Sequence, residues 1–226
     1  MIRKLLRRAL PRLHLPLAGA VSASEILLSK LGYWRSVKDG KPVGRSGEPL
    51  PWFTYPALAW LDMLDLSKAR VFEYGSGWGT LHWAQRAAEV TAVEEKPEWA
   101  AKIRPLLPGN AQLIGPVSGQ DYIEAARTGA PWDVVIVDGI LRRECAEVAA
   151  QVVRPAGLIL LDNADWFVEA AAVLRGQGLT QVDFQGFGPC NAYTWTTSAF
   201  IGKHLDLPRL SQPWSRIDRG AIPYQL

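Results

Sequence analysis

The sequence predicts an α/β fold built on a mainly parallel sheet, and three observations carry that expectation. From residue 70 onward, short runs rich in β-branched and aromatic residues alternate with stretches of helical periodicity. Two of those runs, "DVVIVD" (133–138) and "GLILLD" (157–162), are apolar throughout, as strands covered by helices on both faces must be. Helical connections between such strands are right-handed crossovers, which makes the strands parallel. The third observation is a departure from that rhythm. "LTQVDFQG" (179–186) and "YTWTTSAFIG" (193–202) are separated only by "FGPCNA", which is too short for a helix, so this last pair is expected to be antiparallel.

Taken in order, "RVFEY" (70–74) is the first strand and "LHWAQRAA" (81–88) the helix that follows it. "VTAVE" (90–94) is the second strand, and "PEWAAKIRPLL" (97–107) is a helix opening with Pro97, whose missing N–H costs nothing in a first turn. "AQLIG" (111–115) is the third strand and "QDYIEAART" (120–128) a short helix. After the fourth strand, Cys145, Val148, Ala149, Val152 and Val153 mark the buried face of a helix. "WFVEAAAVLRG" (166–176) is the helix after the fifth strand. Residues 67–204 thus form the core domain, 1–66 a basic and aromatic-rich extension or cap, and 205–226 a tail.

A chain of 226 residues allows one sizeable core with an extension. With 48% hydrophobic and 21% charged residues it reads as globular, and a net charge of only +3 argues against a nucleic-acid partner. Two cysteines make no disulfide framework, and a cytoplasmic location is expected. The opening "MIRKLLRRALPRLHLPLAGAVSA" is basic and leucine-rich, but Pro11, Arg12, His14 and Pro16 break its apolar stretch, which argues against a signal peptide. Arg3, Lys4, Arg7, Arg8 and Arg12 leave room for a weak membrane-surface contact, although no run is long enough to span a bilayer.

The chemistry concentrates in "VFEYGSGWGT" (71–80). Gly75, Gly77 and Gly79, between a strand and a helix, let the backbone approach a ligand closely. A phosphate-binding G-x-G-x-x-G would need glycine where Thr80 stands. Glu73 would also repel a pyrophosphate, but it suits a cation such as the ammonium and sulfonium of S-adenosylmethionine. Glu94, at the end of the second strand, can accept from both hydroxyls of a ribose, and Asp121 or its neighbouring backbone can meet an adenine amino group.

In this order, these features resemble the class I S-adenosylmethionine-dependent methyltransferases over residues 70 to about 202. The resemblance implies a Rossmann-like seven-stranded sheet of order 3-2-1-4-5-7-6, with the last strand antiparallel and helices on both faces. It also implies S-adenosylmethionine lying over Gly75, Gly77 and Gly79. A second similarity, through "WFTYPA", "FEYGSG", "VDG" and "NAYTWTTS", is to bacterial methyltransferase-like proteins of unassigned substrate.

Methyl transfer needs in-line alignment and, for a hydroxyl acceptor, removal of a proton. Asp138, at the end of the fourth strand, is the candidate for that role, with Arg142 available to a substrate anion. Asp138, Asp162 and Asn163 also look like the Mg²⁺ ligands of cation-dependent O-methyltransferases of the catechol and caffeoyl type. The sequence departs from those enzymes at Leu141, where they often carry lysine. Alternatively, Asp162, Asn163 and Asp165 cap the helix starting near Trp166.

Trp52, Phe53, Tyr55, Tyr193 and Trp195 either screen the sulfonium from water or pack the extension onto the sheet, with packing expected for most of them. His82 is expected to face the sheet or solvent, and Cys145 to fill the core. The reading that results is an S-adenosylmethionine-dependent enzyme methylating oxygen on a small-molecule or glycan-like acceptor. "VDGILR" stands where amino-directed nucleic-acid enzymes carry an Asn-Pro-Pro-Tyr-like signature. Aminopropyl transfer to a polyamine held by Asp138 and Asp162 is one alternative, and a non-catalytic cofactor-binding or assembly protein is another. Thr80 and the antiparallel ending disfavour a nicotinamide dehydrogenase.

Overall fold

The computed structural model describes residues 14–210. The basic residues proposed for membrane contact, Arg3 to Arg12, lie outside them, as does most of the tail. Helix α1 (His14–Glu25), a π-helical turn (Ile26–Lys30), α2 (Tyr33–Asp39) and α3 (Tyr55–Leu61) precede the sheet. Then β1 (Arg70–Tyr74), α4 (Trp78–Ala84), β2 (Glu89–Val93), α5 (Pro97–Ile103), β3 (Ala111–Ile114), α6 (Gly119–Glu124) and β4 (Trp132–Val137) alternate. The chain continues with α7 (Arg142–Val152), β5 (Val153–Leu161), α8 (Val168–Gly176), β6 (Thr180–Gly186) and β7 (Trp195–Ile201).

One seven-stranded sheet has the order β3-β2-β1-β4-β5-β7-β6, as expected. β1 pairs in parallel with β2 and β4, while β7 runs antiparallel to both β5 and β6. Because the chain order reverses direction at β1 and β4, the two connections leaving their carboxyl ends diverge and open a crevice, the usual ligand position in such sheets.

Alternate residues of each strand feed two cores. Phe72, Tyr74, Val135, Val137, Ile159 and Leu161 pack against α6, α7 and α8. Val71, Val134, Ile136, Leu158 and Leu160 pack on the other face against α3, α4 and residues around Leu50, Phe53 and Leu66. The stretch from residue 50 to 66 therefore completes the core of the sheet. It is also tied to the far hairpin: Thr54 donates its N–H to Thr197 Oγ1 at 3.0 Å, and Tyr55 N–H reaches the Phe187 carbonyl at 2.7 Å.

Several boundaries differ from expectation for local reasons. The first crossover helix starts at Trp78 rather than Leu81, since the Thr80 hydroxyl accepts the Gly77 N–H at 2.9 Å and closes the first turn directly on the glycine loop. Val153 opens β5 instead of ending α7, and β5 pairs with β4 through a register shift near Trp132. Trp166 and Phe167 belong to a turn whose N–H groups both reach the Asn163 carbonyl, so α8 begins only at Val168. No helix among the described residues is long and apolar enough to cross a membrane.

Candidate active site

A cleft of about 870 Å³ opens at the carboxyl ends of the strands, within the range of small-molecule sites. Glu73, Gly75, Gly77, Gly79, Glu94, Asp138, Arg142, Asp162 and Asn163 all line it. Asp121 does not: it lies exposed in the first turn of α6, outside the lining.

The glycines differ in purpose. A Cβ on Gly79 would stand 2.5 Å from Glu73 Oε1, so that glycine makes room for a protein carboxyl. A Cβ on Gly77 would meet only the Trp99 ring, at 3.8 Å, so the space in front of Gly77 belongs to the cleft. Gly75 has φ +92° and passes Gly139, whose own Cβ would collide with the Tyr122 hydroxyl. Gly139, in the "VDG" segment, is the other half of this crossing.

Glu73 is 4% exposed and points from β1 toward α4. Trp83 Nε1 donates to its Oε1 at 3.1 Å and the Thr80 hydroxyl bonds Oε2. Burial pushes its carboxyl up to about 8, partly opposed by the Thr80 bond and reinforced by the negative charge of Asp138. Thr80, read in sequence only as a missing glycine, is thus the residue that joins the acid to the loop. Glu94 Oε2 accepts from Ser76 N–H at 3.1 Å and Ser76 Oγ at 2.8 Å, and Oε1 accepts from the N–H groups of Glu95 and Lys96. It holds the glycine loop and the turn after β2 in one frame, with Trp99 bonded to the Ser76 carbonyl beside it.

At the other end of the cleft Arg142 is the hub. Its Nε donates to the Gly139 carbonyl at 2.8 Å, and Nη1 donates to the Asp162 carbonyl at 2.6 Å and Asn163 Oδ1 at 3.1 Å. Nη2 donates to the Asp138 carbonyl at 3.2 Å and Asp138 Oδ1 at 3.1 Å, and the guanidinium lies 4.4 Å from the Phe167 ring centroid. The side chain is 9% exposed and stitches the ends of β4 and β5 together. Both turns it spans contain a non-glycine residue at positive φ, Leu141 at 49° and Asn163 at 50°, a strain typical of functional turns.

Burial pushes Asp138 up to about 6, against the pull of Arg142. Asp162, 3% exposed, is driven well above the usual carboxylate range by burial and by Asp138. Its Oδ1 accepts from Trp195 Nε1 at 3.0 Å and from the Thr197 hydroxyl. Thr54, Thr197 and Asp162 therefore form one hydrogen-bonded chain, which is what physically joins the "WFTYPA" and "NAYTWTTS" segments. Asp165 accepts from Thr196 N–H at 3.0 Å, and α8 has no side-chain cap, so the helix-capping role for these acids gives way to tying β5 to β7.

Phe53 and Tyr55 are buried packing residues, while Trp52 and Tyr193 stand half exposed on the cleft wall above buried Trp195. Trp78, Trp99 and Trp166 join that wall without having been singled out by sequence. His82 is 7% exposed, with Nδ1 3.1 Å from the Pro49 carbonyl, and does not line the cleft. Cys145 is fully buried, its thiol pushed up to about 12 by desolvation, as suits a core filler. His204 is exposed.

No family model matches the sequence, and no curated protein matches it. Among solved structures, a precorrin-6y C5,15-methyltransferase from Geobacter metallireducens superposes with a TM-score of 0.52 at 12% identity, over 66% of this chain and 87% of that one. The chain has the fold of the class I methyltransferases. A spermidine synthase from Thermotoga maritima is similar too, with a TM-score of 0.51 at 14% identity, over 73% of this chain and 63% of that one. The same fold thus occurs in proteins named for different activities.

The cleft does not fit the Mg²⁺ ion expected at Asp138, Asp162 and Asn163. Asn163 Oδ1 and Asp138 Oδ1 are engaged by the Arg142 guanidinium, and Asp162 Oδ1 by Trp195 and Thr197. Among the described residues no group of three or more His, Cys, Asp and Glu is placed to hold a metal ion. The positive charge between the two strand ends is supplied by an arginine, which stays protonated and has five fixed donors.

Proposed function

We propose that this protein is an S-adenosylmethionine-dependent methyltransferase acting on the hydroxyl oxygen of a small-molecule or glycan-like acceptor. The observation that carries the reading is the open space in front of Gly77, framed by Glu73 and Glu94 at the topological switch point. A pyrophosphate-binding loop needs glycine where Thr80 stands, and here the Thr80 hydroxyl bonds Glu73 and the Gly77 N–H instead.

The residues present fit that cofactor. Gly77 leaves the backbone bare for close approach, and Glu94, which fixes the loop, would meet the ribose hydroxyls. Trp52, Trp78 and Trp99 line the cleft and would exclude water from it. When bound, S-adenosylmethionine supplies an electrophilic methyl whose C–S bond breaks as the acceptor oxygen bonds to carbon, the electron pair staying on sulfur. The acceptor's proton passes to Asp138 Oδ2, which no donor among the described residues occupies. Burial holds that carboxyl at about 6, so it is ionised and competent as a base at neutral pH. Arg142 keeps it in place without competing for substrate.

A second reading, aminopropyl transfer, is favoured by the acids at the strand ends and by the fold it shares with spermidine synthase. Incubation with S-adenosylmethionine and a set of hydroxylated acceptors, against decarboxylated S-adenosylmethionine and putrescine, separates the two. Formation of S-adenosylhomocysteine with a hydroxyl acceptor is the expected result. Methylthioadenosine formed only with the polyamine would replace methyl transfer by aminopropyl transfer.

A further inference from the structure

The end of the cleft beyond Arg142 has a chemistry of its own. Two large aromatic side chains stand together there with much of their surface in water: Tyr193 at 48% and Trp166 at 57%. The Trp166 and Tyr193 rings lie 6.0 Å apart, tilted by 35°, and Tyr193 meets the buried Trp195 edge-on at 5.9 Å. Aromatic surface left open at a cleft mouth stabilises nothing in the free fold, and such surface marks a ligand face.

Between the rings the wall is polar. Asp162 has one oxygen consumed by Trp195 and Thr197, and no donor among the described residues reaches the other. The Asn163 amide has its oxygen taken by Arg142, which leaves its nitrogen to donate, and Asn191 adds a second amide to the lining.

Three ligand classes use aromatic walls, and the polar groups choose between them. An ammonium would need surplus negative charge, yet Arg142 sits among these acids and burial drives Asp162 toward its neutral form. A flat catechol-type diol held through a metal would need that ion to share the oxygens with Arg142, whose positive charge already stands among them. A pyranose needs neither. Its C–H face is apolar enough to stack on an indole or phenol ring, and its hydroxyl edge exchanges hydrogen bonds with carboxyl and amide groups.

We propose that this end of the cleft binds a pyranose residue, alone or at the end of a glycan. The sugar's C–H face lies on Trp166 and Tyr193, and its hydroxyls meet Asp162 Oδ2 and the Asn163 and Asn191 amides. The proposal rests on the methyl-transfer reading for what becomes of the sugar hydroxyl, and not for the binding itself.

Saturation-transfer NMR on the full chain, with and without S-adenosylhomocysteine, tests it. The probes are the methyl glycosides of glucose, galactose, mannose, rhamnose and N-acetylglucosamine, with catechol and spermidine as comparison arms. The expected result is saturation of ring C–H protons in at least one glycoside. Its affinity should fall about tenfold or more in Trp166→Ala and Tyr193→Ala and recover in Trp166→Phe. The affinity for S-adenosylhomocysteine, read by calorimetry, should be unchanged in all three variants, which also shows that they are folded. Saturation of no glycoside, glycoside binding indifferent to both alanine variants, or catechol or spermidine binding lost in those variants in place of sugar would each overturn the proposal. Glycoside binding with no affinity for S-adenosylhomocysteine would sustain the subsite and overturn the methyl-transfer reading.

Discussion

Where β1 turns into α4 the cleft is shaped by atoms that are absent, whereas at the ends of β4 and β5 it is shaped by a guanidinium with every donor engaged. Gly77 leaves open space beside the Trp99 ring, Thr80 holds the loop with a bond three positions long, and Glu94 ties the loop to the turn after the neighbouring strand. At the other end, Arg142 spans two strands and Asp162 is bonded to residues more than thirty positions away. The first half is a receptacle set by local sequence. The second is a scaffold set by tertiary contacts, and it places Asp138 against whatever occupies the receptacle. If that division is right, substitutions at the two ends should fail in different ways.

The largest effect is expected at Asp138. Asp138→Asn keeps the Arg142 contact through its amide oxygen but has no oxygen basic enough to take a proton, so turnover should fall by about 10²–10⁴-fold. Cofactor affinity by calorimetry should stay near that of the wild type. The wild-type rate should rise with pH through about 6, as Asp138 ionises, and a profile flat across that range would remove the carboxyl from the proton transfer.

Arg142→Met comes next, since it leaves the Asp138 carboxyl without its ion pair and five hydrogen bonds unmade. A loss of about 3 kcal/mol in unfolding free energy is expected from denaturant titration. A variant of unchanged stability would show that the guanidinium is no keystone.

How much of this could be read in the sequence divides along the same line. The glycine loop, Glu73 and Glu94 were legible because "VFEYGSGWGT" and "VTAVE" are contiguous, and strand spacing alone places both acids at strand ends. Alternation and one short connection predicted the parallel strands and the antiparallel ending, while the sheet order was implied by the resemblance to the methyltransferases. The role of Arg142 was not legible. Nothing local distinguishes an arginine with five bonded partners from one waiting for an anion, and the partners come from residues 138, 139, 162 and 163. Asp138, Asp162 and Asn163 resembled metal ligands for the same reason: sequence shows which oxygens converge, and only the structure shows which donors have already claimed them. "WFVEAAAVLRG" was expected to be helical from Trp166, but the Asn163 carbonyl captures the Trp166 N–H and the ring lines the cleft.

A smaller effect is expected at Glu73. Its carboxyl is raised from 4.5 to about 8, so the folded state holds a proton that the unfolded state releases. The stability tied to that proton is complete below about pH 4.5 and is lost progressively as pH rises to about 8. Glu73→Gln keeps an acceptor for Trp83 and has no proton to lose. Its melting temperature should match the wild type in acid and exceed it at about pH 9. Parallel melting curves across the whole range would contradict a buried, protonated Glu73. The smallest effect is expected from metal removal: dialysis against EDTA should leave turnover and melting temperature unchanged, because Arg142 supplies the charge a metal would bring.

The most direct measurement is titration of the wild type, Gly77→Ala and Gly79→Ala with S-adenosylmethionine, each variant's melting temperature being recorded beside its calorimetry. One saturable site in the wild type is expected. Gly77→Ala should melt like the wild type yet bind at least about tenfold more weakly, since its methyl enters only the ligand's space. Gly79→Ala should lose stability, because its methyl meets Glu73. A folded wild type that takes up no S-adenosylmethionine, or a Gly77→Ala variant that binds it as tightly as the wild type, would contradict the assignment of this space to the cofactor.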